Sequence, residues 1–583
     1  MGIFAGILSR NEAPPDVQAT VELLAALGRS GDEPHVFRDR RLVLARIEPS
    51  AIDAPELHET ASGVTASAGL PLLGNASLRD DLDALAPQLA KGRLEGLARC
   101  RGQFALAHWA PAQERLVLAT DFVGLRPVYV LASPETVVFS TALRVIEAMP
   151  SIPLRTDLWG VTEQLCIGVP LADRSPYADV RRLRSGEAWV FDAAGVHRCF
   201  HSRMGDVAES PKPLEELARE AYERFLDAVR IRAGDDPEAI TFLSGGLDSR
   251  CLVGALVALG KPAQCVNIVR PGRLDTVLAR RFAAAAGTPL IEQSVPGDEP
   301  QYVSKGLAFG RLRREGRIAD RPALVFSGDG GSVGTGHDYL MDEHVQRMRA
   351  GDLAGAAAYA LERRGQPSRT AFRRPVWEHL VRVLRSSITR ELESLDGPAE
   401  PGRKFHLFLM QNDQRRHLDH HFEELDRYRT EFANPFFDSE YLRCVLSVPV
   451  DACMRHGFYY RWMKHFPAPV HQVPWQAYPG HLPCPVPLAE ADRSALSQWQ
   501  PTRREVRLRV RGDFHTCASH VPGSYLPAAC NIGRGRALAV LALHALGLKN
   551  GAGLFRAVNE YHRYLERSEG RLVPLPSDPS GAP

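Results

Sequence analysis

The sequence predicts an α/β protein of two parts, on three observations. Residues 1 to about 205 string short apolar runs between Gly, Pro and charged residues, which is the pattern of a β-rich segment. From Ala239 onward, strand-like and helix-like runs alternate with short connections, as in parallel βαβ units of a doubly wound sheet. The run Thr241-Phe-Leu ends in the small-residue turn Ser244-Gly-Gly-Leu-Asp-Ser249 and leads into the helical run Arg250–Ala258, which puts a glycine-rich loop at a helix N-terminus.

At 583 residues the chain is too long for one core, so two or more domains are expected. Its 44% hydrophobic and 24% charged residues match a soluble globular protein. Lys+Arg 71 against Asp+Glu 69 nearly cancel, which removes any bulk electrostatic reason to expect nucleic acid or an anionic membrane as partner. The 10 Cys are scattered without CxxC pairs or metal spacing and read as reduced thiols. The opening Met-Gly-Ile-Phe-Ala-Gly-Ile-Leu has neither the basic region nor the cleavage site of a signal peptide, and Gly at position 6 breaks a myristoylation motif. No run approaches the roughly 18 apolar residues of a membrane span. A cytoplasmic protein is expected.

Taken in order, the first part should contain strands at Phe104–Trp109, Arg115–Thr120, Val128–Leu131 and Thr136–Ser140. After the Pro-bearing linker near Ser210, Pro211–Asp236 has the Leu/Ala spacing of a helix. Strands are then predicted at Ala239–Leu243, Ala263–Val269, Pro289–Val295 and Ala323–Ser327, with helices at Asp248–Leu259 and Leu274–Ala286. Ligands of such a sheet bind beyond the carboxyl ends of the strands, where Ser244–Ser249 and Ser327–Gly331 both fall. Residues 340–430 read as charged helices; His417, His420 and His421 share a helical spacing there but read as a solvated face, and Asp413 is a weakly placed acid. The Pro/Ser/Gly-rich tail after Gly570 is expected to be disordered.

The chemistry of Ser244–Ser249 follows from its residue types. Backbone N–H groups and the helix dipole favour phosphate, the hydroxyls of Ser244 and Ser249 can donate to it, and Asp248 can hold a divalent cation. No Lys follows the glycines, so this is not a P-loop. It resembles the SGGxDS pyrophosphate loop of enzymes that transfer AMP from ATP, and of the asparagine-synthetase-like ligases in particular.

The first part extends that resemblance. Arg101-Gly-Gln-Phe-Ala-Leu-Ala-His-Trp109, Thr120-Asp-Phe-Val-Gly-Leu-Arg-Pro-Val-Tyr129, Phe139-Ser-Thr-Ala-Leu-Arg-Val-Ile146 and Leu183-Arg-Ser-Gly-Glu187 are similar, in this order, to the landmarks of the glutaminase half of asparagine synthetases. The resemblance implies an Ntn-hydrolase-like αββα domain over 1–205, a doubly wound ATP-pyrophosphatase (synthetase) domain over 211–570, and a tail over 571–583. Glutaminases of this class attack with an N-terminal Cys whose α-amino group is the base. Here Met1-Gly2-Ile3-Phe4-Ala5-Gly6 stands where the family has Met-Cys-Gly-Ile-Phe-Ala-Gly, and Gly74-Asn75-Ala76-Ser77 replaces the family Asn-Gly-Glu. The domain is therefore expected to be a folded relic without glutaminase activity.

Carried over position by position, the resemblance implies that ATP is held by Leu243, Ser244, Gly245, Gly246, Asp248, Ser249, Asn267 and Gly328. Phe326-Ser-Gly-Asp-Gly-Gly-Ser332 resembles the signature Ser-Gly-(Glu/Tyr)-Gly-(Ser/Gly)-Asp, which gives Asp329 an acid/base role and leaves Ser332 where the family has a metal-binding Asp. Mg2+ then falls to Asp248 and Asp329. Glu431-Phe-Ala-Asn-Pro-Phe-Phe-Asp438 resembles the segment that carries a catalytic-site Glu, although the family Arg is Ala433. Where the family places a charge-stabilising Lys, this chain reads His471-Gln-Val-Pro-Trp-Gln476, so Lys464 would have to swing in.

The expectation is an ATP-dependent, AMP-forming amide-bond ligase that adenylates a carboxylate and closes it onto an amine. The Cys-less subclass resembles β-lactam synthetases and lasso peptide cyclases, which implies intramolecular closure of a peptide or small-molecule substrate bearing both groups, with a biosynthetic partner protein in view. The alternatives are ammonia-dependent amidation of the asparagine synthetase type and a catalytically weakened nucleotide-binding or assembly protein.

Overall fold

A computed structural model of the chain describes all residues except 1, 12, 49–56, 235–237, 270–271, 296–300, 319–322, 370, 396, 498–501, 522–531, 578 and 580–583. The first half is a sandwich of two 6-stranded sheets. One sheet runs in the order Arg181–Arg182, Tyr129–Ala132, Thr136–Ser140, Ile3–Ser9, Leu42–Ile47, His35–Arg38; the other runs Gly195–Phe200, Glu187–Asp192, Arg115–Thr120, Phe104–Ala110, Gly63–Gly69, His58–Thr60. The period-two alternation of each strand explains the layering. Phe4, Leu8, Leu42 and Leu44 meet Ala105, Ala107, Trp109 and Leu118 between the sheets. Ile3, Ala5 and Ile7 face outward onto the helix Val17–Leu27, while Phe104 and Leu106 face outward onto the helix Leu78–Ala90. Helix, sheet, sheet, helix is the αββα order that the resemblance implied.

The second half is built on a 5-stranded sheet in the order Leu290–Ser294, Ala263–Val269, Ala239–Phe242, Ala323–Phe326, Thr430–Ala433, with every pairing parallel. Chain order reverses at Ala239–Phe242, so the loops after this strand and after its neighbour Ala323–Phe326 flank a topological switch point. The helices Leu214–Ala233, Leu247–Ala258 and Leu274–Ala286 stand close to their predicted bounds.

The halves are bolted together by arginines. Arg101 bridges to Asp438 at 3.2 Å and also to Asp227, Arg144 to Asp426 at 3.0 Å, Arg184 to Glu391 at 3.0 Å, and Arg126 and Arg182 pair with Glu431 and Asp419.

The end of the chain departs from the expected division. In the helix Ala552–Arg567, Leu554, Phe555, Val558, Tyr561 and Leu565 recur at helical spacing and join the core that also contains Ile3, Leu23 and Ile146 of the first half. The tail expected to be disordered is corrected in its described part. Leu572–Val573 pairs in parallel with Thr156–Asp157, Pro579 O accepts from Ser386 and Arg390, and residues 578 and 580–583 lie outside the described residues. Among the described residues no helix is long and apolar enough to cross a membrane.

Candidate active site at the switch point

The strand Ala239–Phe242 delivers Leu243 and Ser244 into a turn folded by its own side chains. Ser244 N donates to Ser249 Oγ (2.9 Å), Gly246 N to Ser244 Oγ (3.2 Å) and Gly245 N to Asp275 Oδ1 (3.0 Å). Gly246 caps the helix Leu247–Ala258 without a side-chain cap bond, so the first-turn N–H groups of that helix keep their affinity for an anion. Asn267, buried at the end of the adjacent strand, donates from Nδ2 to Leu243 O (2.8 Å); its Oδ1 has no hydrogen-bond partner among the described residues.

The second loop, Ser327–Ser332, packs directly on the first. A Cβ on Gly331 would stand 2.6 Å from Asp248 Cγ, and one on Gly328 would stand 2.8 Å from Ser249 N, so these glycines are what let the two loops touch. Asp248 lies buried between them, accepting from Tyr459 OH at 2.9 Å and from Ser332 Oγ. Burial pushes its carboxyl up to about 6; Asp338 and Asp329 push the same way, while the two hydroxyls oppose the shift.

Asp329 has a partner that the sequence reading missed. Lys305, on the helix Gln301–Arg314, donates to Asp329 Oδ2 at 2.5 Å and to Ser327 Oγ at 3.0 Å, and Ser327 Oγ donates to Asp329 at 2.6 Å. Its ammonium sits 5.2 Å from the ring centroids of both Phe242 and Phe432. One sequence signal pointed there: in a chain that uses Arg almost everywhere, Lys305 is the sole lysine between Lys261 and Lys404.

The remaining predicted residues do not converge on the loops. Lys464 is exposed at the end of the helix Gly457–Met463, whose buried Trp462 packs edge-on against Phe225, and this fixes the opposite face of the helix inward. Glu431 is a buried carboxylate paired with Arg126 of the first half; burial pushes it up and Arg126 opposes the shift. It joins the halves rather than reaching the loops. Asp438 caps the helix Ser439–Leu446 and receives Arg232 at 2.9 Å. The expected solvated histidine face is corrected at His421, which is fully buried and stacks on Phe432, its ring centroid 3.7 Å away, whereas His420 is exposed as expected. The side chain of His417 lies outside the described residues. Among the described residues no group of three or more His, Cys, Asp or Glu side chains could hold a metal.

The segment after His471 takes another role. Buried Arg250 donates to Gly246 O (3.0 Å), Val473 O (2.6 Å) and Pro474 O (3.0 Å), and Gln476 N donates to Gly245 O (3.0 Å). This strap delivers Tyr478, which hydrogen-bonds Ser332 Oγ.

Comparisons with known proteins agree with this layout. A glutamine amidotransferase domain matches residues 80–202, and an asparagine synthase domain matches residues 220–304. Asparagine synthetase (glutamine-hydrolyzing) 3 of Bacillus subtilis is 27% identical over 157 residues, covering 26% of this chain and 25% of that protein. Amidase chry2 of Gibberella zeae is 25% identical over 179 residues, covering 29% and 25%. A putative asparagine synthetase (glutamine-hydrolyzing) 2 of Methanocaldococcus jannaschii is 25% identical over 162 residues, covering 27% and 31%. The chain thus spans about a quarter of the length of the first curated relatives it matches. Among solved structures, a glutamine phosphoribosylpyrophosphate amidotransferase from B. subtilis aligns at 14% identity over 59% of this chain and 94% of that one, with a TM-score of 0.25, too low to bear on the fold.

Fold and site define a glutamine-amidotransferase-type sandwich joined to a doubly wound domain of the ATP-pyrophosphatase type. Both domain models are matched in that order, and asparagine synthetases are among the proteins this chain is similar to.

Proposed function

We propose that this protein is an ATP-dependent, AMP-forming amide-bond ligase. The observation that carries the reading is Asp248, buried between two glycine-rich loops at the switch point of a parallel sheet. The triphosphate would lie on the first-turn N–H groups of Leu247–Ala258 and on the hydroxyls of Ser244 and Ser249, with the base near Leu243 and Asn267. The donors fit Mg2+: Asp248 offers hard oxygens, and crowding by Asp329 and Asp338 is relieved by a cation. Mg2+, when bound, neutralises charge on the leaving pyrophosphate. Asp329, already paired with Lys305, serves less well as a second ligand. The ion is therefore assigned to Asp248, and Gly328 backs the pocket.

A substrate carboxylate attacks the α-phosphorus, expelling pyrophosphate and leaving an acyl-adenylate. An amine then attacks the acyl carbon and AMP departs. Lys305 supplies the positive charge that Lys464 cannot, and Asp329 is placed to take the amine proton. The amine is read as not drawn from glutamine, because Met1-Gly2-Ile3-Phe4 lacks the nucleophilic Cys that the family carries between Met and Gly. Closure within one peptide or small molecule, as in a macrolactam-forming or related ligase, follows from holding both groups in one site.

The test is ATP–pyrophosphate exchange across candidate carboxylates. Exchange that disappears in Asp248→Ala supports the ligase. ATP binding without exchange for any carboxylate supports the second reading, a weakened nucleotide-binding protein, which rests on Ser332 standing where the family has an acid. Product formation only with added ammonia would make it an ammonia-dependent amidating enzyme.

A further inference from the structure

Arg250 stands on the first turn of the helix Leu247–Ala258 and is fully buried. Every nitrogen of its guanidinium is used, and every acceptor is a backbone carbonyl. Nε donates to Gly246 O (3.0 Å), Nη1 to Val473 O (2.6 Å) and Val470 O (3.4 Å), and Nη2 to Pro474 O (3.0 Å). The rings of Phe282 and Trp475 lie beside it, their centroids 5.1 and 5.7 Å from the guanidinium carbon. Burial lowers the group to about 10, which leaves it cationic at neutral pH, and among the described residues no carboxylate pairs with it. A buried charge without a counter-charge is costly to keep, so this arginine is a poor choice for packing alone.

Its bonds decide which way the loop amides point. In a trans peptide the C=O and N–H bonds are antiparallel, and no peptide of the described chain is cis. Arg250 draws Gly246 O toward itself, so Leu247 N–H, in the same peptide, faces the opposite way. Gln476 N draws Gly245 O at 3.0 Å, so Gly246 N–H also faces away from the strap, where it meets Ser244 Oγ at 3.2 Å. Successive amides turned away from one support form an anion-binding concavity. The same guanidinium, through Val473 O and Pro474 O, holds the strap from which Gln476 reaches the loop.

We propose that Arg250 is a positioning residue of the phosphate site, and that it serves pyrophosphate and the outer phosphates of a nucleoside triphosphate. It orients the amides of Gly246 and Leu247 before the anion arrives, and its charge, unneutralised and little screened by solvent, acts through one peptide on the anion they receive. It touches neither phosphate nor the reacting atoms. The inference deepens the ligase reading and rests on it for Ser244–Ser249 as the phosphate loop.

The test is calorimetric titration of the full chain with two probes, pyrophosphate in the presence of Mg2+ and adenosine, which carries no phosphate. Arg250→Met should weaken pyrophosphate at least about tenfold, the scale of one lost charge-assisted interaction, and leave adenosine within about twofold. Arg250→Lys keeps the charge but replaces a planar fork by a single point, so its pyrophosphate affinity should fall between those of the wild type and Arg250→Met. A merely structural role would weaken both probes together, and that outcome would overturn the inference, as would wild-type pyrophosphate affinity in Arg250→Lys. Should Arg250→Met fail to fold, as thermal melting would show, Arg250→Lys carries the test alone, with at least about threefold weaker pyrophosphate and unchanged adenosine expected. The titration needs no turnover. Pyrophosphate binding that depends on Arg250 without any ATP–pyrophosphate exchange would therefore sink only the ligase reading, and exchange with an affinity indifferent to Arg250 only the positioning role.

Discussion

Lys305 Nζ lies 2.5 Å from Asp329 Oδ2, joining two helix-to-loop elements 24 residues apart at the mouth of the candidate site. The pair places a positive charge where phosphate and acyl oxygens gain negative charge during adenylation. Lys305→Met should lower pyrophosphate exchange by roughly 100-fold, the scale of removing one preorganised donor, while leaving ATP binding within about tenfold. Lys464→Met, at an exposed position, should change exchange less than about twofold, and a larger effect there would reverse the assignment.

Asp248 makes stability depend on pH. Folding raises its carboxyl from 3.8 to about 6, so between those values the native chain holds a proton that the unfolded chain has released. Stability from this group is therefore greatest below pH 4 and falls as pH rises through 6, by on the order of 3 kcal/mol. Asp248→Asn should flatten that slope in urea unfolding, raise stability at pH 7, and abolish binding of Mg2+–ATP. Added Mg2+–ATP should stabilise the wild type more at pH 7 than at pH 5.

Gly331→Ala tests the contact between the loops. The new methyl would stand 2.6 Å from Asp248 Cγ, so one loop must move. A stability loss of about 1–3 kcal/mol and at least tenfold weaker ATP binding are expected, read by denaturant unfolding and fluorescent-nucleotide titration.

Arg126 and Glu431 should couple strongly, since both are almost wholly buried. Glu431→Gln or Arg126→Met alone strands a charge and should cost about 3–5 kcal/mol, whereas the double variant should lose less than the sum of the two. A double-mutant cycle in urea measures this, and an additive cycle would show that the pair does not hold the halves together.

Gly2→Cys should not produce glutamate from glutamine, because a side chain at position 2 runs into Ile47 O. The variant should instead melt at a lower temperature than the wild type, and measurable glutaminase activity would show that the strand can shift to admit a nucleophile.

The sequence by itself determined the strand and helix bounds around both loops, because periodicity, turn residues and cap residues are local signals. The helix Leu274–Ala286 and the strand Ala263–Val269 lie where their patterns put them, and Ser244–Ser249 announces its anion chemistry in a few consecutive residues. Only the tertiary structure decided which distant side chains serve those loops. Lys305, not Lys464, reaches Asp329, and Glu431 turns to Arg126. It also decided that the helix Ala552–Arg567 returns to the core of the first half. Each of these depends on how amphipathic faces pack across long sequence separations, a relationship that no local pattern encodes.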